Sequence, residues 1–144
     1  MAQDPYDLDR FLRAQENDYE RALAEIRSGR KQSHWMWYIF PQFEGLGFSP
    51  TSRFYSIKSV AEARAYLRHP VLGPRLVACC EAILALEGRS APEILGSPDD
   101  AKLKSSATLF AHVSPAHSVF EQIVEKYFDG QRDDPTVRLL QSGA

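Results

Sequence analysis

Apolar residues recur along this chain at spacings of three and four, and this pattern constrains its fold more than any other feature. The first stripe comprises Leu8, Phe11, Leu12, Tyr19, Ala22, Leu23 and Ile26. Because an α-helix turns once in about 3.6 residues, such a stripe occupies one helix face. We therefore expect one long first helix with Asp7 as its N-cap and Gly29 as its stop.

Two later stripes and several start signals extend the helical pattern. The stripes are Leu76, Cys79, Cys80, Ile83 and Leu84, and then Val119, Phe120, Ile123, Val124 and Tyr127. Ser59 and Glu62 have capping-box spacing. A capping residue precedes proline at Ser90–Pro92, Ser97–Pro98, Ser114–Pro115 and Asp134–Pro135. The pattern predicts an all-α fold, with residues 1–144 as a single compact multi-helix domain, folded over residues 8–140.

An aromatic-rich segment follows the first helix and interrupts this pattern. Residues 33–57 contain Trp35, Trp37, Tyr38, Phe40, Phe43, Phe48, Phe54 and Tyr55. Residues 33–41 are either a two-turn helix capped by Ser33 or a buried extended stretch. Residues 41–53 are expected to form a loop that folds back over the helices, because exposed aromatic side chains are costly.

Composition excludes two classes of protein. A hydrophobic share of 44% with 11% aromatic residues excludes an intrinsically disordered chain. The longest apolar run, residues 35–41, is far shorter than the roughly 20 residues that a membrane span needs. A cytoplasmic location is expected, because the N-terminus lacks signal-peptide features and adjacent Cys79 and Cys80 are typical of buried reduced thiols.

The charge is polarised along the chain. The net charge of −2 and a pI near 6.1 argue against nucleic-acid binding. Residues 27–75, however, hold eight basic and two acidic residues, leaving nine basic and seventeen acidic elsewhere. This basic middle is either an ordinary charged surface or a local field suited to a small anionic metabolite.

Several stretches resemble the DUF1810 family, small bacterial proteins of unknown function. They are Ala14, Gln15 and Tyr19, residues 29–42 with the distinctive His-Trp-Met-Trp block, residues 46–55, residues 66–76 and residues 98–110. The resemblance implies a helical single domain and no activity. Residues 66–76 and 96–100 are also faintly similar to YbiA-like (NADAR) domains, helical proteins associated with ADP-ribose and related N-glycosides, from which no residue role is carried over.

Gln15, Tyr19, His34 and Trp37 are candidates for a binding site within the first half of the chain. Gln15 lies four residues from both Phe11 and Tyr19, so it either bonds a carbonyl beneath the aromatic segment or points with Tyr19 into a pocket. Trp37 is either core or a stacking surface for a ring. His34 is either a structural histidine or a general acid–base.

The remaining candidates suit an anion or a nucleophile. Arg53 and Tyr55 follow a glycine turn that could admit a phosphate, and Arg75 lies at a helix start. Each has a simpler interpretation as a turn with a solvated arginine. Ser106, with Lys102 one turn earlier, is either a weak Ser–Lys catalytic candidate or a hydroxyl bonded back to a carbonyl. No motif for a metal or a cofactor is present, and neither is expected.

These residues favour a small-ligand binding or hydrolytic domain for a phosphorylated, ring-bearing metabolite such as a nucleotide or an ADP-ribose-like compound. The predicted ligand-binding set is Gln15, Tyr19, His34, Trp37, Arg53, Tyr55 and Arg75. The alternative is a non-enzymatic protein-interaction module whose aromatic residues form only a core. The oligomeric state is left open.

Overall fold

The computed structural model describes residues 4–143, and these residues form ten helices. They are α1 Asp9–Gln15, α2 Tyr19–Ser28, α3 Met36–Ile39, α4 Pro50–Phe54, α5 Val60–Arg68, α6 Leu72–Leu84, α7 Ala91–Leu95, α8 Asp99–His112, α9 Val119–Phe128 and α10 Asp134–Gly143. The β pairing recorded in this range is a single isolated parallel bridge between Phe43 and Ile57. The prediction of an all-α, compact helical domain is therefore confirmed.

The expected long first helix is wrong, because the chain breaks between Gln15 and Tyr19 into α1 and α2. The break lies at Asn17 and Asp18, which are poor helix formers, and the Asp18 carboxylate accepts a hydrogen bond from the Tyr38 hydroxyl. The expected stop is correct: Gly29 ends α2 in the left-handed conformation, with a φ of 88°.

Asp7 does not cap the first helix. The Asp4 carboxylate does so instead, accepting from the backbone N–H of Leu8 at 2.7 Å and of Asp9 at 2.9 Å. Asp7 has a positive φ of 51° and lies in the turn before the helix. The cap therefore lies three residues earlier than the sequence predicts.

Two of the predicted helix starts are confirmed by side-chain caps. Ser59 accepts from the backbone N–H of Glu62, and Ser90 forms a complete capping box with Glu93. Glu62 departs from the box pattern, because its carboxylate accepts from the backbone N–H of Lys58 rather than from that of Ser59.

One other predicted start is wrong, and two are shifted by one residue. Helix α8 begins at Asp99 instead of Pro98, and Ser97 does not cap it, since the Ser97 hydroxyl bonds the Asp100 side chain. No helix begins at Ser114, and α9 starts after Ser118, which caps it. Asp133, one residue before the predicted cap, bonds the backbone N–H of Thr136 in the first turn of α10.

The aromatic segment is neither a two-turn helix nor an extended strand. Helix α3 makes a single turn, and the Ser33 hydroxyl bonds the Glu25 carboxylate instead of capping it. The expected loop over residues 41–53 contains the start of α4, which Ser49 caps. Phe43 folds back into the core as predicted, whereas the side chain of Phe48 is 75% exposed.

Helix α8 lies at the centre of the fold, between α7, α9 and α10. Leu103 and residues 105–111 are all buried, so α8 has no solvent-facing side over this stretch. Its polar groups are paired within the core: the Ser105 hydroxyl bonds Thr136, and the Thr108 hydroxyl donates to the Lys104 carbonyl. The hydroxyls of Ser105 and Thr108 are therefore buried with hydrogen-bond partners.

Helix α6 forms the second layer with α2, α5 and α9. Cys79 and Cys80 of α6 are buried free thiols, and burial raises the pKa of Cys79 to about 12. A thiol that stays protonated at neutral pH is a poor nucleophile, so this pair packs as part of the core. Within residues 4–143, no helix combines the length and apolar character needed to cross a bilayer.

Candidate functional site

A hollow of about 470 Å³ opens between the N-terminal turn and α4. It is lined by Tyr6, Asp7, Arg10, Pro50, Arg53, Phe54 and Lys58, and is called here the Tyr6 cleft. Its volume falls within the range of about 300–1,000 Å³ that is typical of small-molecule sites. Two aromatic rings and three cationic side chains thus share one concave surface.

Arg10 forms the base of this cleft and holds its two aromatic walls in place. Its guanidinium donates to the carbonyls of Tyr6 and Asp7 on one side and of Phe54 and Ser56 on the other, at 2.6–2.9 Å. The remaining donor bonds the Glu62 carboxylate at 2.6 Å. All five guanidinium donors are therefore satisfied, and the walls are fixed relative to one another.

Glu62 provides the counter-charge that allows Arg10 to be buried. The two side chains are only 2% and 5% exposed. The second Glu62 carboxylate oxygen accepts from the backbone N–H of Lys58 at 3.0 Å, which extends the network to another wall of the cleft. A buried pair of this kind is tolerated because hydrogen bonds satisfy both partners.

Lys58 stiffens the rim beside α4. Its ammonium donates to the Arg53 carbonyl at 2.8 Å and to the carbonyl and hydroxyl of Ser56 at 3.1 and 2.7 Å. These acceptors are neutral, so the positive charge of Lys58 is not cancelled by them. The rim is ordered and still cationic.

Arg53 and Phe54 are the lining residues whose side chains are available to contact a ligand. Across residues 4–143, the Arg53 guanidinium makes no hydrogen bond or ion pair, although its carbonyl is bonded by Lys58. Phe54 is 54% exposed, and its ring meets Tyr55 edge-on at a centroid distance of 4.8 Å. An unbonded guanidinium and a partly exposed aromatic ring therefore line the same hollow.

Gln15, Tyr19 and Arg75 form a separate network that does not line the Tyr6 cleft. The Gln15 amide donates to the Tyr38 carbonyl at 2.7 Å and to the Tyr66 hydroxyl at 3.2 Å, and accepts from Arg75 at 3.3 Å. The Arg75 guanidinium also lies 4.7 Å from the centre of the Tyr19 ring. Burial raises the pKa of Tyr19 and, more strongly, of Tyr66. Arg75 thus links Gln15 and Tyr19, and the three side chains contact one another through it.

Tyr55 lies between the Tyr6 cleft and the network of Gln15, Tyr19 and Arg75, and it does not line the cleft. Its ring lies 5.2 Å from that of Tyr38 and 5.9 Å from that of Phe11. Tyr55 therefore packs between the aromatic segment and α1, next to Phe54.

His34 and Trp37 belong to neither the Tyr6 cleft nor the network of Gln15, Tyr19 and Arg75. His34 is exposed, and its carbonyl accepts from the Tyr38 hydroxyl at 3.1 Å. Trp37 is half-buried, with the Lys102 ammonium 5.0 Å from the centre of its ring. The seven predicted ligand-binding residues therefore do not share one hollow, and only Arg53 among them lines the Tyr6 cleft.

Ser106 faces inward and is 1% exposed. The Lys102 ammonium, its conjectured partner, lies 3.4 Å from the Asp99 carboxylate and over the Trp37 ring, so it is bound elsewhere. Nothing in this geometry supports a Ser–Lys catalytic pair. In the described part of the chain, no three His, Cys, Asp or Glu side chains converge as metal ligands.

Tyr6, Arg10, Phe54 and Lys58 line the cleft, although no sequence pattern marks them as site residues. Arg10 and Glu62 are 52 residues apart, and both lie on otherwise ordinary charged helix positions. Two signals point to part of this lining: the basic middle of the chain, which contains Arg53 and Lys58, and the aromatic-rich segment, which contains Phe54. Neither signal indicates which of these residues meet in space.

Two comparisons place the chain among known proteins. The family model described as "Protein of unknown function (DUF1810)" matches residues 5–140. The chain is similar to the conserved hypothetical protein Rv1873 from Mycobacterium tuberculosis, with 49% sequence identity and a TM-score of 0.94 between the structures, covering 96% of this chain and 99% of that one.

No curated protein matches the chain. Neither of the two matches is to a YbiA-like domain, so that fainter similarity stays a prediction. The resemblance carried by the His34–Trp37 block and its companion stretches is confirmed, since the family model covers nearly the whole chain. The chain therefore belongs to the DUF1810 family of proteins of unknown function.

Proposed function

We propose that the Tyr6 cleft binds a small phosphorylated metabolite that carries an aromatic ring, such as a nucleotide or an ADP-ribose-like compound. The observation that carries the proposal is the pairing of the unbonded Arg53 guanidinium with the exposed Phe54 ring on one hollow of about 470 Å³. A guanidinium binds phosphate through two parallel hydrogen bonds, and a phenyl ring stacks on any base.

The order of the cleft supports binding without rearrangement. Arg10 already holds the carbonyls of Tyr6 and Phe54, and Lys58 holds that of Arg53. A ligand that enters such a site loses little affinity to the ordering of the protein. Binding is favoured over hydrolysis, because the lining residues include one carboxylate, that of Asp7, and no serine, cysteine or histidine.

A protein-interaction module is the second candidate function, and one observation favours it. Phe48 and Phe54 are 75% and 54% exposed and lie on the same connection between α3 and α5. Exposed apolar side chains of this size often mark contact surfaces. The two candidate functions assign different roles to Phe48: it would contact a protein partner, but it does not line the Tyr6 cleft and would not contact a ligand there.

The decisive experiment is a thermal-shift screen followed by calorimetric titration with AMP, ADP, ADP-ribose and ribose 5-phosphate. A ligand present at 100 times its dissociation constant should stabilise the chain by about 2.7 kcal/mol. Arg53→Ala should weaken its binding at least tenfold, while Arg138→Ala, an exposed arginine of α10, serves as the control.

Phe54→Ala and Phe48→Ala form a second matched pair. Loss of base stacking should weaken nucleotide binding by roughly 1–3 kcal/mol in the Phe54 variant. The Phe48 variant should bind the nucleotide as tightly as the unmodified chain. A panel without any binder, or a binder that is indifferent to Arg53 and Phe54, would remove the proposal. The interaction module would then be the better account.

A further inference from the structure

A second hollow, of about 670 Å³, adjoins the Tyr6 cleft. It is lined by Tyr6, Ala61, Arg64, Ala65, Arg68 and His69, and is called here the α5 hollow. Half-buried Tyr6 lines both hollows, so the two adjoin at this residue. A ligand that leaves the Tyr6 cleft past Tyr6 meets the surface of α5.

The face of α5 in this hollow alternates small and cationic side chains. Ala61 and Ala65 are one turn apart, as are Arg64 and Arg68, so each pair shares one side of the helix. The alanines leave room close to the backbone, and the two arginines flank that room. Like charges one turn apart repel each other, and an anion held between them would relieve this repulsion.

His69 adds a hydrogen-bond donor at the end of the helix. Its Nδ1 accepts from the backbone N–H of Val71 at 3.1 Å and of Leu72 at 3.2 Å. The neutral ring therefore carries its proton on Nε2, which is left as the donor of this side chain. His69 thus fixes the turn between α5 and α6 and presents a polar edge at the hollow.

The positive charge of the two hollows is balanced only in part by the chain itself. The one carboxylate between Arg53 and His69 in the sequence is Glu62, and it is buried against Arg10. Across the described residues 4–143, neither Arg64 nor Arg68 forms an ion pair, and Asp7 is the one carboxylate lining either hollow. The two hollows therefore form one cationic surface, with Tyr6 common to both.

We infer that the α5 hollow is a second anion subsite, and that the ligand of the Tyr6 cleft is a dinucleotide-like metabolite with two separated phosphate groups. This inference rests on the proposed function. The first phosphate and a ring lie with Arg53 and Phe54, and the second phosphate lies between Arg64 and Arg68. The two hollows together are large enough for such a molecule, whereas a mononucleotide would leave the α5 hollow unused.

The test compares AMP with NADP⁺ by calorimetric titration of the whole chain. NADP⁺ should bind at least tenfold more tightly than AMP. The double variant Arg64→Ala with Arg68→Ala should remove that difference and leave the affinity for AMP within twofold. Arg132→Ala with Arg138→Ala, which removes two positive charges elsewhere, should change neither affinity. Thermal melting should show the α5 variant folded, since its substitutions remove a repulsion on an exposed helix face.

Three outcomes would overturn the inference and leave the proposed function intact. The first is NADP⁺ that binds the unmodified chain no more tightly than AMP does. The second is an α5 variant that binds NADP⁺ as tightly as the unmodified chain, and the third is an α5 variant that weakens the binding of AMP and NADP⁺ by the same factor. Tighter binding of a ten-nucleotide oligothymidylate than of NADP⁺, lost in the same variant, would also overturn it by assigning the surface to single-stranded nucleic acid. If Arg53→Ala leaves AMP binding unchanged, the proposed function itself fails.

Discussion

The indole N–H of Trp35 donates to the Glu25 carboxylate at 2.9 Å, and this contact ties the aromatic segment to α2. The same carboxylate accepts from the backbone N–H groups of Gln32 and Ser33 at 2.7 and 2.9 Å and from the Ser33 hydroxyl. One side chain thus organises the whole connection between α2 and α3. The fully buried Trp35 ring is held where it can pack against Phe40.

The Glu25 contacts predict a specific loss of stability in acid. Burial alone would raise the pKa of Glu25, but hydrogen bonds from Ser33, Gln32 and Trp35 lower it from 4.5 to about 2. Since the folded-state pKa lies below the unfolded one, the stabilisation is complete above pH 4.5 and is lost as the pH falls toward 2. Urea unfolding at pH 7, 4 and 3 measures this dependence.

Glu25→Gln should reduce the free energy of unfolding at pH 7 by about 1–2 kcal/mol, because it removes the negative charge and replaces one of the two accepting oxygens with an NH₂ group that cannot accept. It should also flatten the pH dependence below pH 4.5. Glu20→Gln, an exposed change on the same helix, is the control. A Glu25 variant that follows the acid dependence of the unmodified chain would show that other carboxylates govern it.

The helix ends illustrate how much of the fold is visible in the sequence. Gly29, Ser59 and Ser90 act locally: each cap involves residues within a few positions, so a short pattern is enough to find it. The break before α2 coincides instead with the Asp18–Tyr38 contact across 20 residues. Periodicity carries no information about such a contact, because the apolar stripe continues on both sides of the break.

The candidate site was harder to predict for the same physical reason. The basic middle of the chain indicated Arg53, but the Tyr6 cleft exists because Arg10 joins elements that are 44 to 52 residues apart. A charged residue on a helix is usually solvated, and local sequence does not show that Arg10 and Glu62 are buried together. Gln15 was correctly placed on the apolar face, yet its partners satisfy it fully and leave no group for a ligand.

The buried Arg10–Glu62 pair should be costly to break. Glu62→Gln removes the counter-charge of Arg10 and should reduce the free energy of unfolding by about 3–5 kcal/mol, as measured by chemical denaturation. The exposed Arg13–Asp9 pair on the same helix provides the control, and Arg13→Ala should cost less than about 1 kcal/mol.

The same substitution should also act on the cleft, because Arg10 holds the carbonyls of Tyr6 and Phe54. Any ligand found in the screen should bind more weakly to a Glu62→Gln chain that remains folded. Equal stability losses in the Glu62 and Arg13 variants would contradict the assignment of Arg10 as the base of the cleft.

Gly73 should not tolerate a side chain, because α5 and α6 approach one another at this residue. A Cβ atom there would lie 2.1 Å from the backbone carbonyl oxygen of Leu67. Gly73→Ala should therefore cost about 3 kcal/mol through displaced backbone. Gly88→Ala is the control, since nothing lies within 4 Å of the new Cβ atom and the strain comes only from the positive φ of 72°. This variant should lose about 1 kcal/mol of the free energy of unfolding. A Gly73 variant as stable as the Gly88 variant would rule out the close packing of the two helices.

The network around Gln15 should contribute to stability and not to ligand affinity. Gln15→Leu leaves the Tyr38 carbonyl, the Tyr66 hydroxyl and the Arg75 guanidinium without this partner, and about 2–3 kcal/mol should be lost. Tyr66→Phe removes only one hydroxyl and should cost about 1 kcal/mol. The double variant should lose less stability than the sum of the two single losses, because both changes delete the same 3.2 Å hydrogen bond.

Since none of these residues lines the Tyr6 cleft, each of these variants should bind a cleft ligand with an affinity within twofold of that of the unmodified chain. A large loss of affinity in Gln15→Leu, without a matching loss in Arg53→Ala, would move the binding site from the cleft to the group of Gln15, Tyr19 and Arg75.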